Sequence, residues 1–114
     1  MSHSDVTFSG QTVSVAGQTW QASWPVKQAA VIDGRVILIY YDCMAGPRHC
    51  QFQNLEAFSF SGLRLWTAEH PTSQTADTYV EILSTSPFVV WDFACYRCEL
   101  DPSNGRLIKA EFTK

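Results

Sequence analysis

Apolar and polar residues alternate with a period of two along most of the chain, and no window of about 11 residues carries a helical stripe. Side chains that switch faces at every residue belong to pleated strands, so the chain is predicted to be all-β. Val13 and Val15 alternate with polar residues, Ala16-Gly17 offers a turn, and Trp20, Ala22 and Trp24 then share one face. This predicts a hairpin that Pro25 closes. Asp33-Gly34 separates two β-rich runs and predicts a second hairpin, because a type I′ turn needs positive φ at both central residues. The run Val36-Ile-Leu-Ile-Tyr-Tyr41 is apolar throughout, which predicts a central strand buried on both faces. Further strands are expected over 53–58, 63–69, 78–83, 88–93, 96–100 and 106–112, an antiparallel meander of about ten short strands. The polar stretch His70–Asp77 reads as the most mobile loop.

The chain has 114 residues, 46% of them hydrophobic, enough to build one core. A single β domain over 1–114 is therefore expected, with residues 1–10 as a flexible tail. The net charge of -3 argues against a nucleic-acid partner, which would need a basic face. The N-terminus shows no basic stretch followed by an apolar run, and the longest apolar run is far short of the ~20 residues that span a bilayer. A cytoplasmic protein with no membrane partner is expected. Its four cysteines, Cys43, Cys50, Cys95 and Cys98, should then be thiols. Cys95 and Cys98 lie in a segment that reads as strand, where residues i and i+3 point to opposite faces, so no metal is expected there. The sequence carries no phosphate-binding glycine loop, no zinc-binding helix motif and no nucleophile elbow, so no cofactor is expected.

Three turn glycines mark an internal repeat. Gly17-Gln-Thr-Trp20, Gly62-Leu-Arg-Leu-Trp66 and Gly105-Arg-Leu-Ile108 begin successive copies at spacings of 45 and 43 residues. Later landmarks recur in order: Ile39-Tyr-Tyr-Asp42 matches Val90-Trp-Asp92, and the segment 54–62 matches 96–105. The units span 17–61 and 62–104, with 105–114 as a closing strand. A period of ~40–45 residues with four strands is that of a propeller blade. The segments 55–66 and 98–108 resemble the quinoprotein-type (PQQ-like) β-propeller repeat: an apolar strand, a polar turn, glycine, then an apolar strand. The chain also resembles small uncharacterised bacterial proteins that carry this pattern. The resemblance implies a fold. It implies no quinone cofactor, because a propeller needs at least ~4 blades and this chain has about two. Two blade-like four-stranded units can pack as a sandwich or a partly open barrel, or pair with a second copy through edge strands at Gln11–Val15 and Arg106–Phe112.

The candidate functional residues follow from this layout. Trp66 and Trp91 are inter-sheet residues or part of an interaction surface. Arg48, His49, His70 and Asp92 would line a pocket if the 43–50 and 70–77 loops meet. Cys50, His70 and an aspartate (Asp42 or Asp92) have the residue types of a nucleophilic triad, but no local signature accompanies them. Asp42 and Asp92 each follow an aromatic at a strand end, where a carboxylate commonly caps a turn. With high aromatic content, low charge and no catalytic set, the sequence points to a non-enzymatic protein-binding module of immunity or accessory type. Its acidic balance suits a basic partner. The alternative is a small-molecule-binding protein or enzyme using the loop pocket.

Overall fold

A computed structural model describes residues 5–41, 52–74 and 77–113. The chain is all-β, with eleven strands in three antiparallel sheets and no helix among the described residues. The N-terminal sheet has the order β1 (Val6–Ser9), β2 (Thr12–Val15), β3 (Gln18–Gln21). The middle sheet runs β4 (Val26–Ile32), β5 (Arg35–Tyr40), β6 (Leu55–Phe58), β7 (Arg64–Thr67). The C-terminal sheet runs β8 (Tyr79–Thr85), β9 (Phe88–Asp92), β10 (Tyr96–Leu100), β11 (Leu107–Phe112). Each is a simple meander, as short connections between successive strands favour.

The sheets stack rather than close into a barrel, and the alternation of β5 shows why. Val36, Leu38 and Tyr40 join Val13, Val15 and Phe58 in a core between the N-terminal and middle sheets. Ile37 and Ile39 join Leu55, Tyr79, Val90 and Cys98 in a second core on the other face. All five β5 residues from Val36 to Tyr40 are 0% exposed. A strand that buries both pleats must be apolar throughout, as this one is. Each such side chain contributes about 1.5–3 kcal/mol by leaving water.

The outer faces of the stack are polar. On the N-terminal sheet Ser14 bonds Thr19 and Gln21 bonds Thr12. On the C-terminal sheet Arg97 sits opposite Glu111 and Glu99 opposite Lys109. These faces end the stack, because another apolar sheet would have to desolvate their charges and hydroxyls.

The Asp33-Gly34 hairpin forms as the sequence predicts, with φ of 51° and 74° at the two residues and Ile32 paired with Arg35. Two other glycines do something different. A Cβ on Gly62 would lie 2.7 Å from the Trp20 ring, and one on Gly105 would overlap the Trp66 ring. The Trp20 indole N–H donates to Phe60 O (2.9 Å), and that of Trp66 donates to Pro102 O (3.0 Å). Twice, therefore, the last strand of one sheet lays a tryptophan on the glycine turn of the next.

Three expectations are corrected. Residues 6–9 are not tail: Val6–Ser9 forms β1, in register with Thr12–Val15, because Val-Thr-Phe suits a pleated edge and Val6 packs on the first core. Gln11–Val15 is not an edge, since β2 is paired on both sides, by β1 and β3. Cys95 is not in a strand. It has a φ of 73° in the three-residue turn between β9 and β10, half-buried, while Cys98 is buried in the second core. The repeat units 17–61 and 62–104 are offset from the sheets, each running across two of them, since the four-stranded sheets occupy Val26–Thr67 and Tyr79–Phe112.

Candidate functional site

The densest buried polar group in the described residues forms where the middle sheet hands the chain to the C-terminal one. After β7, Ala68 N–H donates to Leu55 O (2.9 Å) and extends the pairing. Glu69 then crosses to the next sheet: its N–H donates to Gly105 O (2.9 Å), and its carboxylate accepts Leu107 N–H (2.7 Å). This anchoring turns His70 inward, and its side chain is only 1% exposed. At the far end of the connection Asn54 fixes the start of β8. Fully buried, it donates to Tyr40 O (3.0 Å) and Tyr79 O (2.8 Å) and accepts Tyr79 N–H (2.8 Å). Asp77, two residues before Tyr79, is thereby held against His70, with Nδ1 to Oδ1 at 3.3 Å. Thr72 donates its N–H (2.8 Å) and its hydroxyl to the other Asp77 oxygen.

Asp92 completes the cluster from the end of β9. Its Oδ1 accepts Ala94 N–H (2.7 Å), the turn-capping role that a strand-end aspartate suits. One donor atom each of His70, Asp77 and Asp92 lies within 4.8 Å of the others. The Tyr79 ring lies tilted against the imidazole, centroids 4.5 Å apart, and its hydroxyl donates to Glu69 O (2.6 Å). Among the described residues, two buried atoms are met by no hydrogen-bond donor: His70 Nε2 and Asp92 Oδ2.

The electrostatics follow from burial. Burial, and then the neighbouring Asp77, push the Asp92 carboxyl up to about 8. Burial also acts to raise Asp77, but hydrogen bonds from Asp92, Thr72 and His70 outweigh it and hold this carboxyl below the ordinary range. Two abutting carboxyls cannot both ionise out of water, so one proton is shared, and Asp92 is the member that carries it. Burial lowers His70 despite the pull of Asp77, so its ring is the neutral form. Burial, and then Asp92, push the Cys98 thiol up to about 12, which makes it inert as a nucleophile.

The matching position in the first core is satisfied differently. Glu56 accepts from Tyr40 Oη (2.7 Å), Thr67 Oγ1 (3.0 Å), Ser23 Oγ (3.3 Å) and Arg64 Nη1 (3.4 Å). Its charge has four donors, whereas the His70 cluster is short of them.

Of the residues named from sequence, His70 and Asp92 come together, sealed from solvent rather than lining an open cleft. Arg48, His49, Cys43, Cys50 and Asp42 lie outside the described residues. Trp66 is the half-buried residue docked on Gly105, and Trp91 lies on the outer face of the C-terminal sheet opposite Arg97. Sequence reading missed Asp77 as a site residue. Its one signal is an acidic residue directly before a strand that begins Thr-Tyr-Val. A hollow of about 90 Å³ on the outer face, lined by Val89, Arg97, Glu99 and Lys109, is too small for an ordinary substrate.

The class defined by these features is a three-layer all-β domain with a polar cluster sealed between two of its layers. Within that class the chain belongs to the family described as Domain of unknown function (DUF7957), which it matches over residues 3–112. No curated protein matches the chain. No helix among the described residues is long and apolar enough to cross a membrane.

Proposed function

We propose that this domain is a non-enzymatic, cytoplasmic binding module that takes an extended segment of a protein partner as a fifth strand beside β11. The observation that carries this reading is the state of β11. It is the last strand of the C-terminal sheet, with no neighbour on its outer side among the described residues. It exposes Ile108 and Phe112, each at 59%. An unpaired row of backbone N–H and C=O groups flanked by exposed apolar side chains is the surface that strand addition uses. Phe112 stacks edge-on against Tyr96 (5.4 Å), and Phe93 in the neighbouring turn is 62% exposed, which widens the apolar area at that end. Lys109 and Glu111 point to the other face and set which register a partner strand can take. The net charge of -3 favours a basic partner.

The blade-like repeat belongs to the same reading. The two tryptophan-on-glycine contacts support descent of the middle and C-terminal sheets from one duplicated unit, in which β11 is an edge strand among the described residues.

The test places a photo-crosslinking residue at Ala110 and irradiates the protein in cells of its source. A crosslinked partner of one discrete mass, lost in an Ile108→Asp/Phe112→Asp variant of unchanged melting temperature, is the expected result. Crosslinking to a second copy of this chain alone would replace the partner with a homodimer. Labelling that survives the double variant would remove β11 as the contact.

A further inference from the structure

We propose that His70, Asp77 and Asp92 form a binding site for one divalent transition-metal ion, with Zn²⁺ as its probe. One imidazole and two carboxylates is a donor set for borderline and hard divalent ions. Its geometry is close to that of a bound state. Ligands about 2.1 Å from a zinc ion lie about 3.4 Å from one another. His70 Nδ1 and Asp77 Oδ1 are already 3.3 Å apart, and all three donor atoms fall within 4.8 Å. Drawing the wider separations in from 4.8 Å at most to about 3.4 Å closes the set.

The second observation is independent of that spacing. Asp92 is 0% exposed, and Ala94 N–H meets its Oδ1, yet no donor meets its Oδ2. Native proteins leave few buried polar atoms unpaired, because each costs about 1–3 kcal/mol. A proton between Asp77 and Asp92 relieves the carboxyls alone. A cation among all three groups gives Asp92 Oδ2 a partner, neutralises both carboxylates and takes the imidazole as its third ligand through Nδ1. The surroundings also suit an ion. Thr72 donates twice to Asp77 Oδ2, and Ala94 N–H holds Asp92 Oδ1, so both carboxylates are oriented from behind. The ligands come from the β7–β8 connection and from β9, so a bound ion would clamp the crossover to the C-terminal sheet. Its role is to lock the stack, and the site goes beyond the β11 reading without resting on it.

Asp92→Asn separates an ion from a shared proton. The amide keeps its oxygen for Ala94 N–H and offers an N–H to Asp77, so it imitates the protonated acid, but it is a poor metal ligand. The metal-free full chain is titrated with Zn²⁺ by calorimetry, and its mass is read by native mass spectrometry. The expected result is one ion per chain with a dissociation constant below about 10 µM, and a melting temperature that rises with Zn²⁺. Asp92→Asn and His70→Gln, both still folded, should each weaken binding by at least about tenfold. Failure of the wild-type chain to take up one ion, or undiminished binding in both variants, would overturn the proposal. The second outcome would place the ion elsewhere on the chain.

Discussion

Trp20 and Trp66 each replace a side chain's worth of space that a glycine leaves open. Both glycines have positive φ, and Gly105, at +74°, is the sharper case because the Trp66 ring comes closer to it than the Trp20 ring comes to Gly62. Gly105→Ala therefore meets two costs: about 1–2 kcal/mol for an L-residue in the left-handed region and about 1–3 kcal/mol for the overlap. Trp66 cannot swing away freely, since its indole N–H is bound to Pro102 O. Chemical denaturation of Gly105→Ala should show a loss of about 2–5 kcal/mol. Gly17→Ala is the control. Its Cβ would meet nothing within 4 Å, so only the φ cost applies and the loss should be about 1–2 kcal/mol.

The strands carry different information about their neighbours, and β1 shows it best. It pairs with β2 over four residues and lends Val6 to the first core. Deleting residues 1–10 should lower the melting temperature and turn β2 into an exposed edge, so the truncated chain is expected to self-associate in size-exclusion chromatography. Loss of a true tail would do neither. The sequence pointed to a tail because Ser, His and Asp surround the short Val-Thr-Phe run, and a four-residue strand shows barely two alternations. The turns were legible for the opposite reason. Asp33-Gly34 fixes its backbone locally, whatever surrounds it, and the double-sided burial of β5 is written in five successive apolar residues. The polar cluster was half legible. His70 and Asp92 stand out as candidate residues, but Asp77 reads as the end of a solvated loop. Only the long-range bonds of Glu69 to Gly105 and Leu107, and of Asn54 to Tyr79, turn that loop inward. No local pattern records contacts of that range.

At the scale of the whole molecule, the stack has two cores that share one sheet. The first core joins the N-terminal and middle sheets, and the second joins the middle and C-terminal sheets. Among the described residues, the second is tied across its two sheets by a buried polar cross-link, through Asn54 and the His70 cluster. The N-terminal sheet is attached by the first core, by the Trp20 bond to Phe60 O, and by the Val26 N–H bond to Gly10 O. It also has three strands against four in each of the others, so it has less to lose on opening. Native-state hydrogen exchange should therefore resolve two opening events. Amides of β2 should exchange through a partial opening that leaves β9 and β10 protected, while β9 and β10 exchange only with global unfolding. Val90 is 0% exposed and lies in the second core alone, so Val90→Ala is the discriminating variant. It should lower the opening free energy of the β9 and β10 amides by about 2 kcal/mol. The β2 amides should be lowered by the same amount only if all three sheets open as one unit. A loss confined to the middle and C-terminal sheets would instead make those two the folding unit, with the N-terminal sheet as a docked cover over the Val36, Leu38 and Tyr40 face.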